Sequence, residues 1–534
     1  MSRRGSMLGR RMAVLTALLL VTASSNATSH DSTGVVCTKR SDCGLVPSLG
    51  CVNGTCAVCV VDADCHDSSS DVSKRCVLTH TADGASSMQC INKNVFSPFT
   101  WADAAAAILS VFATAMGAAC GIGGGGLLVP VFILLVGLNP KYAIPLSKAT
   151  ILGGAASTFW ATFHQKHPYA SRRPVLDYAL AAMMEPATLF GTIFGVMANT
   201  IFPAWLILVL LILLMAFSTY RITLKANKMY AKESSDALLP DGPTTLDAES
   251  PCHTQEASTA AVVVTANPTV VPGGISRVAI GNAIPSSDIE ALLRKEEGNV
   301  FPFKASIFPL LFCLVVILAQ SLLRGGHGTA SVVGVKCGSA WYWVLILPAG
   351  LLLGGVTYLM GKKLVARARL YEQLGLDHVQ GDVHWNPYIA QVVFPVQCFV
   401  AGVVAALLGI GGGVVQAPVM IEYGVTPLVQ SSTTSYMILF TSTSTTIQYL
   451  IAGQFPGELQ YDYVLWYTGL GFLGGLLGKN LVTTIIRKTG RMSYFLYFLA
   501  ANMACYAIAM GYIGVKNVLY DLHLGLGMGF SGLC

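Results

Sequence analysis

Charge is what this sequence has least of. Lysine and arginine number 33 and aspartate and glutamate 27, so charged residues are 11% of the 534, against roughly 25% in an ordinary soluble domain. With 53% hydrophobic residues and a mean hydropathy of +0.60, that deficit excludes a soluble globular chain and points to a polytopic membrane protein. The net charge of +6 is small, and its basic residues sit in short loops. They read as topology signals, not as a nucleic-acid surface. Catalytic signatures are missing too: there is no membrane HExxH, no paired catalytic aspartates and no nucleophile elbow, so neither an enzyme nor a cofactor is expected. Cysteine is sparse except between Cys37 and Cys90, which hold eight of the fifteen.

That cluster follows a secretory leader. Arg3, Arg4, Arg10 and Arg11 precede a short apolar core, Met12 to Val21, and then small residues. Residues 1–23 therefore read as a signal peptide; an uncleaved anchor is the rival reading, for which the core is short. Residues 24–98 read as a disulfide-stapled extracytoplasmic module. Two similar starts, CTKRSDC (37–43) and CVVDADC (59–65), each precede two more cysteines, suggesting two four-cysteine units. Zinc on Cys56-x-x-Cys59 is the rival. Asn53-Gly-Thr55 is a glycosylation sequon, so Asn53 is a candidate acceptor if the module is lumenal or extracellular.

The apolar remainder is broken twice by glycine. Spans are expected near 142–163, 178–199, 203–222, 305–323, 341–361, 427–451, 462–484 and 493–513, with glycine-broken segments at 102–138 and 388–423. Basic loops 164–173, 221–232, 362–369 and 487–491 should share the cytoplasmic side. They do so only if each broken segment enters and turns back as a hairpin. Between them lies a polar insert, 223–304, read as mostly disordered, with one helix starting at a capping box, Ser287 to Glu290.

The breaks are alike. Gly121-Ile-Gly-Gly-Gly125 and Gly409-Ile-Gly-Gly-Gly413 are each followed at the same distance by a proline, Pro130 or Pro418, and then by a hydroxyl-rich span. The expected fold is all-α: two inverted repeats (99–222 and 388–514), each a glycine-broken hairpin plus three spans, joined by two extra spans and a loop (305–387) and ending in a tail (515–534). A helix restarting inside the membrane points free N–H groups and its positive dipole end into the break, which suits an anion. The candidate substrate-binding residues are Gly123, Gly124, Gly125, Gly126, Ser147, Lys148 and Thr150 in one copy. In the other they are Gly411, Gly412, Gly413, Ser432, Thr433, Thr434 and Ser435, with Ser431 beside them. Glu185, inside a span, is the candidate carrier of a coupling proton. Lys479 is expected to snorkel, and Gly191, Gly195, Gly471, Gly474, Gly475 and Gly478 to serve helix packing.

At GIGGGGLLVP and GIGGGVVQAP, each leading into a small, hydroxyl-rich span, the sequence resembles the sulfite exporter TauE/SafE family over roughly 102–222 and 388–513. The resemblance implies secondary transport of a small sulfur-containing anion by alternating access. The cysteine-rich module, the insert and the two central spans depart from a compact bacterial member and suggest a eukaryotic branch. The expected partners are a small anion, a lipid bilayer and a coupling proton, in a plasma membrane or endomembrane; no residue pattern sets an oligomeric state. A membrane receptor or assembly protein acting through its cysteine module is the alternative.

Overall fold

The computed structural model describes most of residues 36–238, 299–453 and 461–524. The signal peptide, the helix expected from Ser287 and the last ten residues lie outside the described residues.

The N-terminal module is two small β-hairpins. β1 (Leu49–Val52) pairs with β2 (Thr55–Val58), and β3 (Lys74–His80) with β4 (Ser86–Asn92), both antiparallel. Asn53 and Gly54 turn the first hairpin with φ of 51° and 82°, the left-handed pair that a two-residue turn needs and that Asn-Gly supplies. The cysteines form two separate units. Cys37–Cys51 and Cys43–Cys56 staple the first; Cys59–Cys76 and Cys65–Cys90 staple the second. Cys56 and Cys59 thus bond in different units, and the zinc reading falls away. Loop closures of 13 to 25 residues each stabilise such a unit by about 3 kcal/mol. The module is fastened to the helices. The buried Lys93 ammonium lies 2.7 Å from Asp103. The Val95 N–H donates to Asp462 at 2.8 Å, and Phe96 meets Trp466 edge-on at 5.2 Å.

The rest is helical. α1 is Trp101–Cys120, α2 Gly125–Leu134, α3 Pro140–Thr162, α4 Tyr178–Ile201, α5 Ala204–Leu238 and α6 Phe308–Arg324. α7 is Ala340–Val344, α8 Ile346–Leu374, α9 Phe394–Leu408, α10 Gly413–Glu422, α11 Pro427–Ile451, α12 Tyr461–Thr489 and α13 Ser493–Leu524. A short hairpin, β5 (Lys166–His167) with β6 (Ala170–Pro174), links α3 to α4. Among the described residues, six helical segments are long and apolar enough to cross a membrane. α3 and α11 are not among them because hydroxyls, small residues and lysine dilute their hydropathy. Most of α11 is buried, sheltered inside the apolar helices.

α5 runs past the expected end at 222, to Leu238. The sequence there contains three lysines and three alanines, which favour helix, and α13 holds it. Glu233 accepts from the Ser493 N–H and hydroxyl at 3.1 and 2.5 Å, and the Tyr497 hydroxyl donates to Asn227 at 2.7 Å.

Glycines set the helix directions. Gly474 packs on Val111 and Gly478 on Ala115, so α12 runs parallel to α1; Gly471 on Thr150 and Gly475 on Ser157 align it with α3. A Cβ on Gly191 would overlap the Phe399 carbonyl, and one on Gly195 the Val403 carbonyl; α4 runs parallel to α9. α4 also parallels α11, joined at Asp177–Thr433, Glu185–Thr441 and Thr192–Gln448. Phe159 near the end of α3 and Tyr178 at the start of α4 both pack on Tyr436, so the two sets run in opposite directions. The packing expected of these glycines is what the structure contains.

Candidate functional site

The first break begins where α1 stops. Gly121 takes φ 68°, and the Gly121 and Ile122 N–H groups donate back to Ala118 and Gly117 carbonyls at 3.2 and 2.9 Å. Gly123 and Gly124 follow at φ 84° and 78°. Left-handed backbone at these three positions favours glycine, and it reverses the chain. A Cβ on Gly124 would lie 2.6 Å from the carbonyl of Ala113, which lies in α1 well before its end at Cys120. Phe132, near the end of α2, meets Tyr467 edge-on at 4.8 Å, level with the beginning of α1. α2 therefore returns alongside α1.

The second break also reverses the chain, but with one left-handed glycine, Gly409, where the first has three. Gly409 ends α9 at φ 69°, and α10 restarts from Gly412. Tyr423, just past α10, packs its ring tilted against Phe394 at the start of α9, with centroids 5.0 Å apart, so α10 also doubles back. Because α1 and α9 run in opposite directions, the two turns approach from opposite sides.

They meet backbone to backbone. A Cβ on Gly411 would overlap the Ile122 carbonyl, one on Gly413 the Gly121 carbonyl, and one on Gly125 the Gly409 carbonyl. Side chains tie them across. The Ser147 hydroxyl donates to the Gly409 carbonyl at 2.7 Å and the Lys148 ammonium to the Ile410 carbonyl at 2.6 Å. Reciprocally, the Ser431 hydroxyl donates to the Ala119 carbonyl at 3.0 Å. The first intrahelical bonds of α2 are donated by Leu127 and Leu128, and those of α10 by Val414 and Val415. The Gly123 N–H is taken by the Gly117 carbonyl of α1 at 3.3 Å, whereas the N–H groups that open each restarted helix have no acceptor within that helix.

The other expected residues divide. Thr434 abuts Gly121 but bonds back to the Gln430 carbonyl at 2.8 Å. Ser435 and Thr150 bond back within their own helices, and Thr150 faces Gly471 of α12 rather than the break. Thr433 accepts the Asp177 N–H at 3.0 Å. Gly126 lies within α2 and is buried. Glu185 is fully buried; its Oε1 accepts from the Thr441 hydroxyl at 2.6 Å, and among the described residues Oε2 has no hydrogen-bond partner.

Lys479 does not snorkel. It is 1% exposed, and its ammonium lies 3.2 Å from the Ser432 hydroxyl. Glycines at 474, 475 and 478 let α12 sink against α1 and α3, which carries the lysine inside. Sequence reasoning also passed over Gln416 and Gln448, whose amides donate to Thr188 and Thr192 at 2.8 and 2.9 Å, and Asn199, which donates to the Leu407 carbonyl at 3.1 Å. An amide inside an apolar span was the available signal.

At the end of the bundle that carries β5 and β6, a cavity of about 530 Å³ opens beside this core. Its walls include Arg173, Asp177, Tyr178, Lys304, Arg367 and Val429. Asp177 caps α4, accepting from the Leu180 N–H at 3.0 Å, and Arg173 pairs with Asp382 at 2.8 Å. Burial lowers the pKa of His167 in this wall, as does Arg173, while Asp382 opposes the shift.

Comparisons with known proteins agree with this architecture. The sequence profile described as Sulfite exporter TauE/SafE matches residues 106–279. Sulfite exporter TauE/SafE family protein 3 of Arabidopsis thaliana is 29% identical, over 82% of this chain and 83% of its own length. Family protein 1 of the same plant is 26% identical, over 80% and 87%. No solved structure matches significantly. The chain is a multi-pass integral membrane protein with four disulfides in its N-terminal region, and over four fifths of its length it is similar to the sulfite exporter TauE/SafE family.

Proposed function

We propose that this protein is a secondary transporter of a small anion, a sulfur-containing oxyanion or organic sulfonate, working by alternating access around the paired glycine breaks. The observation that carries this reading is Lys148. Its ammonium is 1% exposed and makes one hydrogen bond, to the Ile410 carbonyl. A lysine offers three donors, and a carbonyl dipole does not neutralise a unit charge taken out of water. An arriving oxyanion would supply the missing charge. Neutral hydroxyls and glycine N–H groups beside it would complete the shell without holding the anion too firmly to release.

The arrangement of the helices supports two inverted repeats. Each would consist of one hairpin with its following spans, α1 to α5 and α9 to α13. The second span after each hairpin packs on the hairpin of the other copy: α4 on α9 and α12 on α1. Rocking one repeat against the other would expose the breaks alternately. The cavity beside Asp177 and Tyr178 would be the entry on one side. Glu185 would take the coupling proton, and Asn53, exposed at its hairpin tip, would carry the glycan.

The test is flux in liposomes holding the purified full-length protein. Saturable uptake of sulfite or a small sulfonate, driven by an imposed proton gradient, is expected. No anion flux with any member of a sulfite, sulfate, thiosulfate and sulfonate panel would sink the reading.

A further inference from the structure

One basic cluster plays no part in that mechanism. Along α5, Leu213, Phe217, Tyr220 and Leu224 recur at spacings of four, three and four and are all exposed. They form one apolar stripe facing out of the bundle. The next position on that face is Lys228, also exposed. Beside the stripe's end, Arg221, Lys225 and Lys228 line a cavity of about 220 Å³, opposite Pro418, Glu422 and Leu496.

We propose that this pocket between α5, α10 and α13 binds the headgroup of an anionic phospholipid, with one acyl chain lying along the α5 stripe. Three cations face one carboxylate, so the pocket has an excess of positive charge. Glu422 is committed to the Arg221 guanidinium at 2.5 Å, which leaves Lys225 and Lys228 to receive a phosphodiester. Arg221 has further N–H donors beyond those it gives Glu422. The cations sit where the apolar run of α5 gives out, which is the headgroup level of a bilayer. A soluble anion would find the charge but gain nothing from the stripe. A lipid satisfies both halves of the site.

The experiment uses the full-length protein in nanodiscs of phosphatidylcholine with a minor share of phosphatidylglycerol. Lipid retained after extraction is measured by native mass spectrometry. Wild type is expected to retain phosphatidylglycerol several-fold above its bulk share. K225Q/K228Q should fall to the bulk ratio, and K225R/K228R should keep the preference. Matching thermal unfolding of the three proteins excludes misfolding; should the glutamine pair fail to fold, loss of the wild-type preference in high salt reports the same contact. Equal enrichment in wild type and the glutamine pair, or none in wild type, overturns the proposal. So does displacement of the lipid by millimolar inorganic phosphate or glycerol 3-phosphate, which would assign the pocket to a free phosphate. None of these readouts requires transport.

Discussion

The Lys148 ammonium of α3 lies 2.6 Å from the carbonyl of Ile410, a residue 262 positions away in the second glycine break. Among the described residues no carboxylate is within ion-pair distance of it; Glu185 is the acid that acts on it from further off. One residue therefore joins the two halves of the chain and places a lysine side-chain nitrogen at their contact.

Replacing Lys148 by Met keeps the stem and removes the charge. A hydrogen bond to a charged group contributes about 1.5–3 kcal/mol, and each 1.4 kcal/mol is about tenfold. The half-saturation concentration for the anion should rise about tenfold or more in liposome flux assays, with the protein still monodisperse on size exclusion. Unchanged saturation would remove Lys148 from the site.

Glu185→Gln separates coupling from binding. It should abolish uphill uptake driven by a proton gradient while leaving one-for-one anion exchange, which needs no net proton movement. Thr441→Val removes the hydroxyl that donates to Glu185 at 2.6 Å and should shift the pH profile of uphill uptake without abolishing exchange. Intact gradient-driven uptake in Glu185→Gln would exclude this carboxylate as the carrier.

The glycine contact predicts a contrast in stability. Gly411→Ala or Gly413→Ala places a methyl against an Ile122 or Gly121 carbonyl, and backbone there cannot yield as a side-chain tip can. Each should lower the midpoint of thermal unfolding measurably, by the ~1–3 kcal/mol typical of overpacking. Gly354→Ala in α8 meets nothing within 4 Å and should be neutral or stabilising by up to ~1 kcal/mol.

The module's anchor should be costly to cut. Asp103 holds the buried Lys93 ammonium at 2.7 Å and also accepts from the Thr100 N–H and hydroxyl at 2.8 and 2.6 Å. Removing one partner of a buried pair typically costs 3–5 kcal/mol. Asp103→Ala should open residues 91–100 to proteolysis while leaving the four disulfides intact by mass. Resistance equal to wild type would show that Val95 and Phe96 hold the module alone.

His167 supplies a pH dependence. Its folded pKa lies below the usual 6.5, chiefly through burial, so the unfolded form binds the proton more readily. The stabilisation it provides is complete above 6.5 and is lost as pH falls through the lower folded value. Protonation also removes the Nδ1 lone pair that accepts the Tyr169 N–H at 3.2 Å. Amide exchange at Tyr169, corrected for intrinsic rate, should accelerate on acidification below 6.5, and His167→Gln should flatten that response.

Much of this was legible because it is local. Hydrophobic length placed the spans; α11 begins and ends where its apolar and hydroxyl pattern does, at Pro427 and Ile451. Recurrence of GIGGG located both breaks, and cysteine spacing marked two four-cysteine units. Lys479 was misjudged for a physical reason. A lysine near a span end snorkels when water lies within reach, and only the depth of α12 against α1 shows that it does not. The end of α5 was missed because Glu233 and Asn227 are held by α13, a partner 260 and more residues away.

The sequence by itself determined that the chain is a membrane protein and where its helices break. These follow from side-chain volume, hydropathy and backbone sterics, which each residue carries with it. Only the tertiary structure decided that the two breaks touch, that Lys148 reaches Ile410, and that Ser147 and Ser431 face the opposing carbonyls while Thr150 turns towards α12. Those facts depend on how far helices distant in sequence sink into one another, and that depth is set jointly by the small residues on both sides of each contact.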